Sequence, residues 1–331
     1  ELARPIFARD RVRLVGEIVA CVVAETRAQA ADAAEMVFVD VEDLDVVLDA
    51  DAASAEGAPL LFPDHGSNLC FRTALGEDED PLEGADHVTE LTIESQRLAG
   101  VPIEANGTLA IPDGDELTVW IPSQNPISIA GGLGKHLGME VGAGLRVAAP
   151  PAVGGGFGSK AGLYPEHIAT AYLARQLGRP VKWTENRSEN MVSMAHGRAI
   201  TLHARLGLTA EGRITGLDVH AVADVGAYPM VGVVLTTVTQ MMIQGVYDIP
   251  KVRYTADSVL TNTTPTAAYR GAGRPEATQM LERTIDVAAA ELGIDPIEIR
   301  RQNFIAPDAF PLTVHSGQSY DNGEYAKTLD A

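Results

Sequence analysis

Two runs in this 331-residue chain are suited to chemistry rather than to packing. The first is Gly154-Gly155-Gly156-Phe157-Gly158-Ser159-Lys160. Four glycines within five positions strip side chains from the backbone, so its N–H groups can approach a ligand closely. Such a loop reads as a cradle for an anionic group, and a lone phenylalanine in its middle has no place in a flexible linker. The second run, Ala268-Tyr269-Arg270-Gly271-Ala272-Gly273-Arg274, sets two arginines among glycines that permit a sharp bend.

The glycine run admits three readings. A dinucleotide fingerprint needs GxGxxG opening a helix, but Ser159 stands where the third glycine belongs. A P-loop needs GxxxxGK[ST], but Ser159 precedes Lys160 and Ala161 follows it. The plain alternative is a tight turn between a strand at Leu145–Ala149 and a helix opening at Pro165. The third reading presses the backbone donors against a pterin, its phosphate or an oxo-metal centre. Phe157 then shields a metal edge from water.

The chain offers no metal ligands of its own for such a centre. It has no HExxH and no CxxC, and its eight histidines are scattered. The two cysteines, Cys21 and Cys70, are too few for an iron–sulfur cluster, which takes about four thiolates. Cys21 lies in the apolar run Val19–Val23 and is expected in the core. A cofactor here has to bring its own ligands to the metal.

The elements that must position these loops follow from periodicity and punctuation. Residues 17–24 read as a buried strand. Thr26 caps a helix from Arg27 to about Met36, and a strand follows at Val37–Val41. The Gly-, Pro- and Asp-rich stretch from Ala52 to Pro81 reads as a connector. Strands are expected at Val88–Ser95, Glu116–Ile121, Pro180–Glu185, 199–208 and Arg213–Ala223. Ser128–Leu137 is a short amphipathic segment. Helices are expected at Glu166–Leu177, closed by Gly178, at Pro275–Leu292, closed by Gly293, and at Pro296–Asn303. Helices and strands without regular alternation give an α+β class.

Composition bounds the function classes. Basic residues number 25 against 45 acidic ones, a net charge of −20, which argues against nucleic-acid binding. No apolar run is long enough to cross a bilayer, and no secretory signal opens the chain. The chain starts at Glu1 without a methionine and stops inside a helix-like run, as a fragment of a longer chain would.

Gly154–Lys160 followed by Tyr269-Arg270-Gly271-Ala272-Gly273-Arg274 resembles the large, molybdopterin-binding subunit of the xanthine dehydrogenase, aldehyde oxidase and carbon monoxide dehydrogenase family. The segment Ile299-Arg300-Arg301-Gln302-Asn303-Phe304 resembles that family too. The resemblance implies the end of an a/b hammerhead domain at residues 1–53, a connecting segment at 54–85 and the first molybdopterin-binding domain at 86–331. It implies a molybdenum hydroxylase that oxidises an aldehyde or a nitrogen-heterocycle carbon with oxygen from water. The implied cofactor is molybdopterin, in its cytosine dinucleotide form, with molybdenum. Iron–sulfur and FAD partner subunits would take the electrons in a cytoplasmic hetero-oligomer. Molybdopterin binds its metal through its own dithiolene, which suits a chain without ligands.

By the same resemblance Gly155, Gly156, Phe157, Gly158 and Gly271 line the cofactor, with Gln96 near a molybdenum ligand. Arg270 contacts the substrate or the transition state, where an arginine stabilises developing negative charge. Arg274 either pairs with Glu276 or caps a strand end. Carbon monoxide dehydrogenases carry a copper-binding cysteine where this chain has Gly271, so copper is not expected. Xanthine-type enzymes have a glutamate where this chain has Ala161, which argues against xanthine. Family residues are also replaced at Ile127 and Ala130. The family's base is a glutamate in a Gly-x-Gly-Glu segment, and none follows Gly273 here. The resemblance therefore predicts a fragment inactive by itself. The competing class is a truncated or degenerate paralogue that only binds partner subunits.

Overall fold

The computed structural model describes residues 2–78 and 80–331. Near the start, α1 (Arg27–Glu35) opens on a capping box. The Thr26 side chain accepts from the Gln29 N–H, and the Gln29 side chain accepts from the Thr26 N–H. No residue of this helix is buried. The segments expected as strands on either side, 17–24 and 37–41, join no ladder among the described residues. Val19, Val23, Val37, Phe38, Val39 and Val41 are exposed, and so is Cys21. Apolar, β-branched sequence favours extended backbone, but a strand needs a partner for its N–H and C=O groups. The core assignment of Cys21 fails for the same reason. Leu14 and Val47 do reach the core. Asn262 pins both flanks, since its side chain donates to the Arg13 carbonyl at 2.9 Å and accepts from the Val47 N–H at 3.0 Å.

The rest of the chain builds two sheets with helices against them. In chain order come α2 (Ala50–Ser54), β1 (Leu69–Leu75), β2 (His87–Ser95), β3 (Leu98–Ala99), β4 (Gly107–Asp113), β5 (Glu116–Trp120), α3 (Pro126–Leu137) and β6 (Leu145–Ala148). Then follow α4 (Pro165–Leu177), β7 (Val181–Thr184), α5 (Arg187–Ser193), β8 (His196–Gly197), β9 (Ile200–Leu208) and β10 (Ile214–Gly226). The last large elements are α6 (Leu235–Met241), β11 (Val252–Leu260), α7 (Arg274–Leu292) and α8 (Pro296–Asn303).

The larger sheet has the order β1-β11-β10-β9-β2. Its edge strand β1 lies in the stretch read as a connector, so residues 54–85 contribute to the sheet. The β9–β10 hairpin is antiparallel, whereas β10 and β11 run parallel, so the chain between them crosses over and carries α6. A register shift between Asp224 and Gly226 ends the β10–β11 ladder. Strand β9 alternates over 200–206 and β10 over 217–225, and Leu202, Ala204, Leu206, Leu217, Val219 and Ala221 are buried on one face. Helix α7 covers that face with Met280, Leu281, Ile285, Ala288 and Ala289.

The smaller sheet has the order β6-β5-β4-β7. Its core joins Leu117, Val119, Leu145, Ile129, Leu133 and Ile168, so α3 and α4 close it. Gly178 and Gly293 end α4 and α7 in the left-handed region, as their placement in the sequence predicts. The glycine run leaves β6 and enters α4, while the Arg270 run leaves β11 and enters α7. Each loop therefore hangs from a different sheet.

Candidate functional site: two loops joined across the sheets

The glycine loop is tied down from behind. The Gly154 N–H donates to Glu104 Oε2 at 2.7 Å, and the Lys160 ammonium meets the same oxygen at 3.0 Å. The Gly158 N–H donates to Gln124 Oε1 at 2.9 Å. Lys160 is nearly fully buried and points inward, opposite to the outward lysine that a phosphate loop would present. Burial would raise the Glu104 carboxyl, but the Gly154 N–H and the Lys160 ammonium hold it below its ordinary value. A Cβ on Gly156 would run into the Gln124 side chain, and one on Gly158 would overlap the Ala268 carbonyl. Gly155 and Gly158 take φ of +102° and +105°, which side chains rarely allow.

Beneath this loop runs a buried chain of hydrogen bonds. The Tyr164 hydroxyl donates to the Ser159 carbonyl at 2.6 Å. The Tyr164 N–H donates to His167 Nδ1, so the His167 Nε2–H donates to Asn106 Oδ1 at 3.0 Å. The Asn106 N–H donates to Glu185, which also takes the Asn190 amide. Burial alone drives the His167 ring down to about 3, so it stays neutral. Burial pushes the Glu185 carboxyl up.

The outer side of the loop is open. Phe157 has a φ of +53° and is 42% exposed, so it is no core aromatic. Among the described residues the N–H groups of Gly155, Gly156 and Phe157 donate to no protein acceptor. These bare donors beside an exposed ring fit a group with anionic oxygens.

The second loop lies directly against the first. The Arg270 N–H donates to the Phe157 carbonyl at 2.9 Å. Gly271, Ala272 and Gly273 all take positive φ. A Cβ on Gly271 would overlap the Pro275 ring, and one on Gly273 would meet the α6 backbone at Thr239. The Arg270 side chain is exposed. Arg274 caps its own turn, donating to the Gly271 carbonyl at 3.1 Å, while the fully buried Glu276 pairs with Arg198. Of the two sequence alternatives for Arg274, the Glu276 pairing is therefore excluded.

The structure thus brings Gly155, Gly156, Phe157, Gly158, Arg270 and Gly271 together. Gln96 is exposed between β2 and β3, and among the described residues no hydrogen bond ties it to either loop. Further along that segment Gly100 and Pro102 approach the loops: a Cβ on Gly100 would meet Ser159 Oγ at 3.3 Å and the Tyr269 ring at 3.7 Å, and the Pro102 Cβ lies 3.3 Å from one built on Gly155. Sequence reasoning gave Glu104, Gln124 and Lys160 no role in holding the loop, and it missed Arg198. The only available signal was a charged residue beside a glycine, in His196-Gly197-Arg198. Two cavities of about 440 and about 500 Å³ lie elsewhere, the first between Gly245, Glu282 and Tyr320, the second between Ala53 and Asn68.

Comparison with known proteins places this arrangement. The molybdopterin cofactor-binding domain model matches residues 61–304. The chain is 34% identical over 338 residues to the nicotine 6-hydroxylase large subunit of Paenarthrobacter nicotinovorans, covering 100% of this chain and 41% of that protein. It is 34% identical to the carbon monoxide dehydrogenase large chain of Hydrogenophaga pseudoflava, covering 98% of this chain and 44% of that one. Its fold superposes on quinoline 2-oxidoreductase from Pseudomonas putida 86 with a TM-score of 0.93 at 34% identity, covering 98% of this chain and 42% of that chain. The chain thus spans about two fifths of the length of these relatives. With two tethered loops whose free backbone donors suit an anionic cofactor, and with this match over most of its length, the chain belongs to the molybdopterin cofactor-binding domain family.

Proposed function

We propose that the chain is part of the large subunit of a molybdenum hydroxylase that oxidises a carbon of a nitrogen heterocycle or an aldehyde, with water as the oxygen source. The observation that carries this reading is the hydrogen bond from Arg270 to Phe157, which seats the arginine loop on the glycine cradle. Similarity to a nicotine 6-hydroxylase and a quinoline 2-oxidoreductase supports a heterocyclic substrate. When bound, molybdopterin supplies a molybdenum centre that accepts two electrons from the substrate. We propose its cytosine dinucleotide form.

The residues of this chain bind and orient. The free N–H groups of Gly155, Gly156 and Phe157 donate to the cofactor's oxygens. The exposed Phe157 ring keeps water from one edge of the centre. The Arg270 guanidinium, exposed on the neighbouring loop, balances negative charge developing on a substrate oxygen. Gly271 supplies no thiolate, so a copper-dependent oxidation of carbon monoxide is disfavoured. A base glutamate is expected outside these residues. Iron–sulfur and FAD subunits in a cytoplasmic hetero-oligomer would take the electrons.

The test is expression of the whole subunit with its partners. Near-stoichiometric molybdenum, and ¹⁸O from labelled water in a hydroxylated heterocycle, would support the proposal. Absence of molybdenum from the intact complex would sink it.

A further inference from the structure

The chain holds two adjacent strained residues outside the glycine runs. Arg198 has a φ of +62° and Ala199 of +65°. Neither is a glycine, and such strain persists only where the surroundings impose it. Here the surroundings are the arginine loop. Gly197 lets Tyr269 pack directly over the backbone, because a Cβ there would overlap the Tyr269 Cβ. The turn then sends the Arg198 side chain under that loop. Its guanidinium carbon stands 5.1 Å from the Tyr269 ring centre. Nη1 donates to the Tyr269 carbonyl at 3.3 Å and to Glu276 Oε1 at 3.1 Å, and Nη2 donates to the Arg270 carbonyl at 2.8 Å. Glu276 is fully buried in the first turn of α7.

We propose that Arg198 is a positioning residue that, held by Glu276, fixes the Tyr269–Arg270 backbone and so sets where the Arg270 side chain points. The clamp acts on both neighbouring carbonyls, and the Arg270 N–H is fixed separately by Phe157. The peptide carrying Arg270 is thereby held on both sides. A guanidinium fork serves three acceptors at once, whereas an ammonium on a lysine stem cannot hold the same three directions. The role rests on the reading that Arg270 faces the cofactor and substrate.

The test compares wild type, Arg198→Lys and the double variant Arg198→Met/Glu276→Met in the full-length subunit assembled with its partners. Arg198→Lys keeps the buried charge balanced, and the double variant removes both charges. In Arg198→Lys the molybdenum content should stay at the wild-type level. Turnover should fall roughly ten- to a hundredfold with KM largely unchanged. The Mo(V) paramagnetic resonance signal should shift, and hydrogen exchange should rise at residues 268–274 but not in β9 or β10. The double variant should show the same local rise in exchange. Unchanged exchange at 268–274 in both variants would overturn the proposal. So would lost protection spread evenly over the subunit, which marks a merely structural role. If wild type itself carries no molybdenum, the proposed function fails, and the exchange pattern at 268–274 still decides the positioning role.

Discussion

The Arg270 N–H donates to the Phe157 carbonyl at 2.9 Å, and this one bond joins loops that hang from different sheets. Its geometry depends on a near-contact beside it. Gly158 sits so close to the Ala268 carbonyl that no side chain fits between the loops.

Gly158→Ala should therefore separate the loops. The substitution meets both a φ of +105° and the overlap with Ala268. The expected loss of stability is at least about 2 kcal/mol. A melting curve of the assembled subunit should drop by several degrees, and its molybdenum content should fall. A variant with wild-type melting and metal content would show that the loops need no such contact.

Lys160→Met should weaken the glycine loop in a pH-dependent way. The Glu104 carboxyl is held below its ordinary value of 4.5. Its contribution is present above that value and fades as pH falls through the lower folded value. The variant should be less stable than wild type at pH 7 by about 1 kcal/mol, a modest amount because Glu104 is partly solvated. The difference should shrink as pH falls below 4.5 and through the lower folded value. Denaturant midpoints at both pH values check this, and a gap that stays constant with pH would contradict it.

His167 should make the protein acid-sensitive. Its ring is driven to about 3 by burial and stays neutral in the fold. Between the ordinary value of 6.5 and that value the unfolded chain takes a proton that the folded one refuses. Stability should therefore drop as pH falls, by up to about 1.4 kcal/mol per unit. His167→Gln should flatten the slope of melting temperature between pH 7 and pH 5. An unaltered slope would assign the acid sensitivity to other groups.

Gly271 bears on the metals bound by the whole complex. A side chain at 271 would overlap Pro275, and the φ of +96° resists one as well. Elemental analysis of the wild-type complex should find molybdenum without stoichiometric copper. Gly271→Cys should not gain copper, because the overlap with Pro275 and the positive φ oppose seating any side chain at 271. Copper at one per subunit in either protein would refute this.

What the sequence revealed and what it hid divide along physical lines. Helices α4, α7 and α8 carry proline at the first turn, and α4 and α7 end in glycine, so local chemistry marked them. Strands β2, β9 and β10 alternate between a buried and an open face, and period two exposed them. Segments 17–24 and 37–41 looked equally strand-like, but pairing is a property of neighbours that a single segment does not encode. Strand β1 was hidden by the Gly- and Pro-rich sequence around it. In the site, the glycines announced themselves, since only glycine tolerates those angles and contacts. Gln96 stays without a geometric tie to the loops, because a glutamine's type says nothing about which way a strand end turns. Arg198 was invisible because its work is done on backbone carbonyls supplied some seventy residues later.

The parallel pairing of β10 and β11, with its register shift at Asp224–Gly226, acts as a ruler for this site. Gly226 at that shift lies so close to Thr264 and Pro265 that no Cβ could be added. The segment leading to Arg270 thus starts from a fixed mark on the ladder. A slip of one residue there would carry the arginine loop about 3.3 Å along the sheet. That is longer than the 2.9 Å hydrogen bond to Phe157, so a slipped ladder would part the two halves of the site.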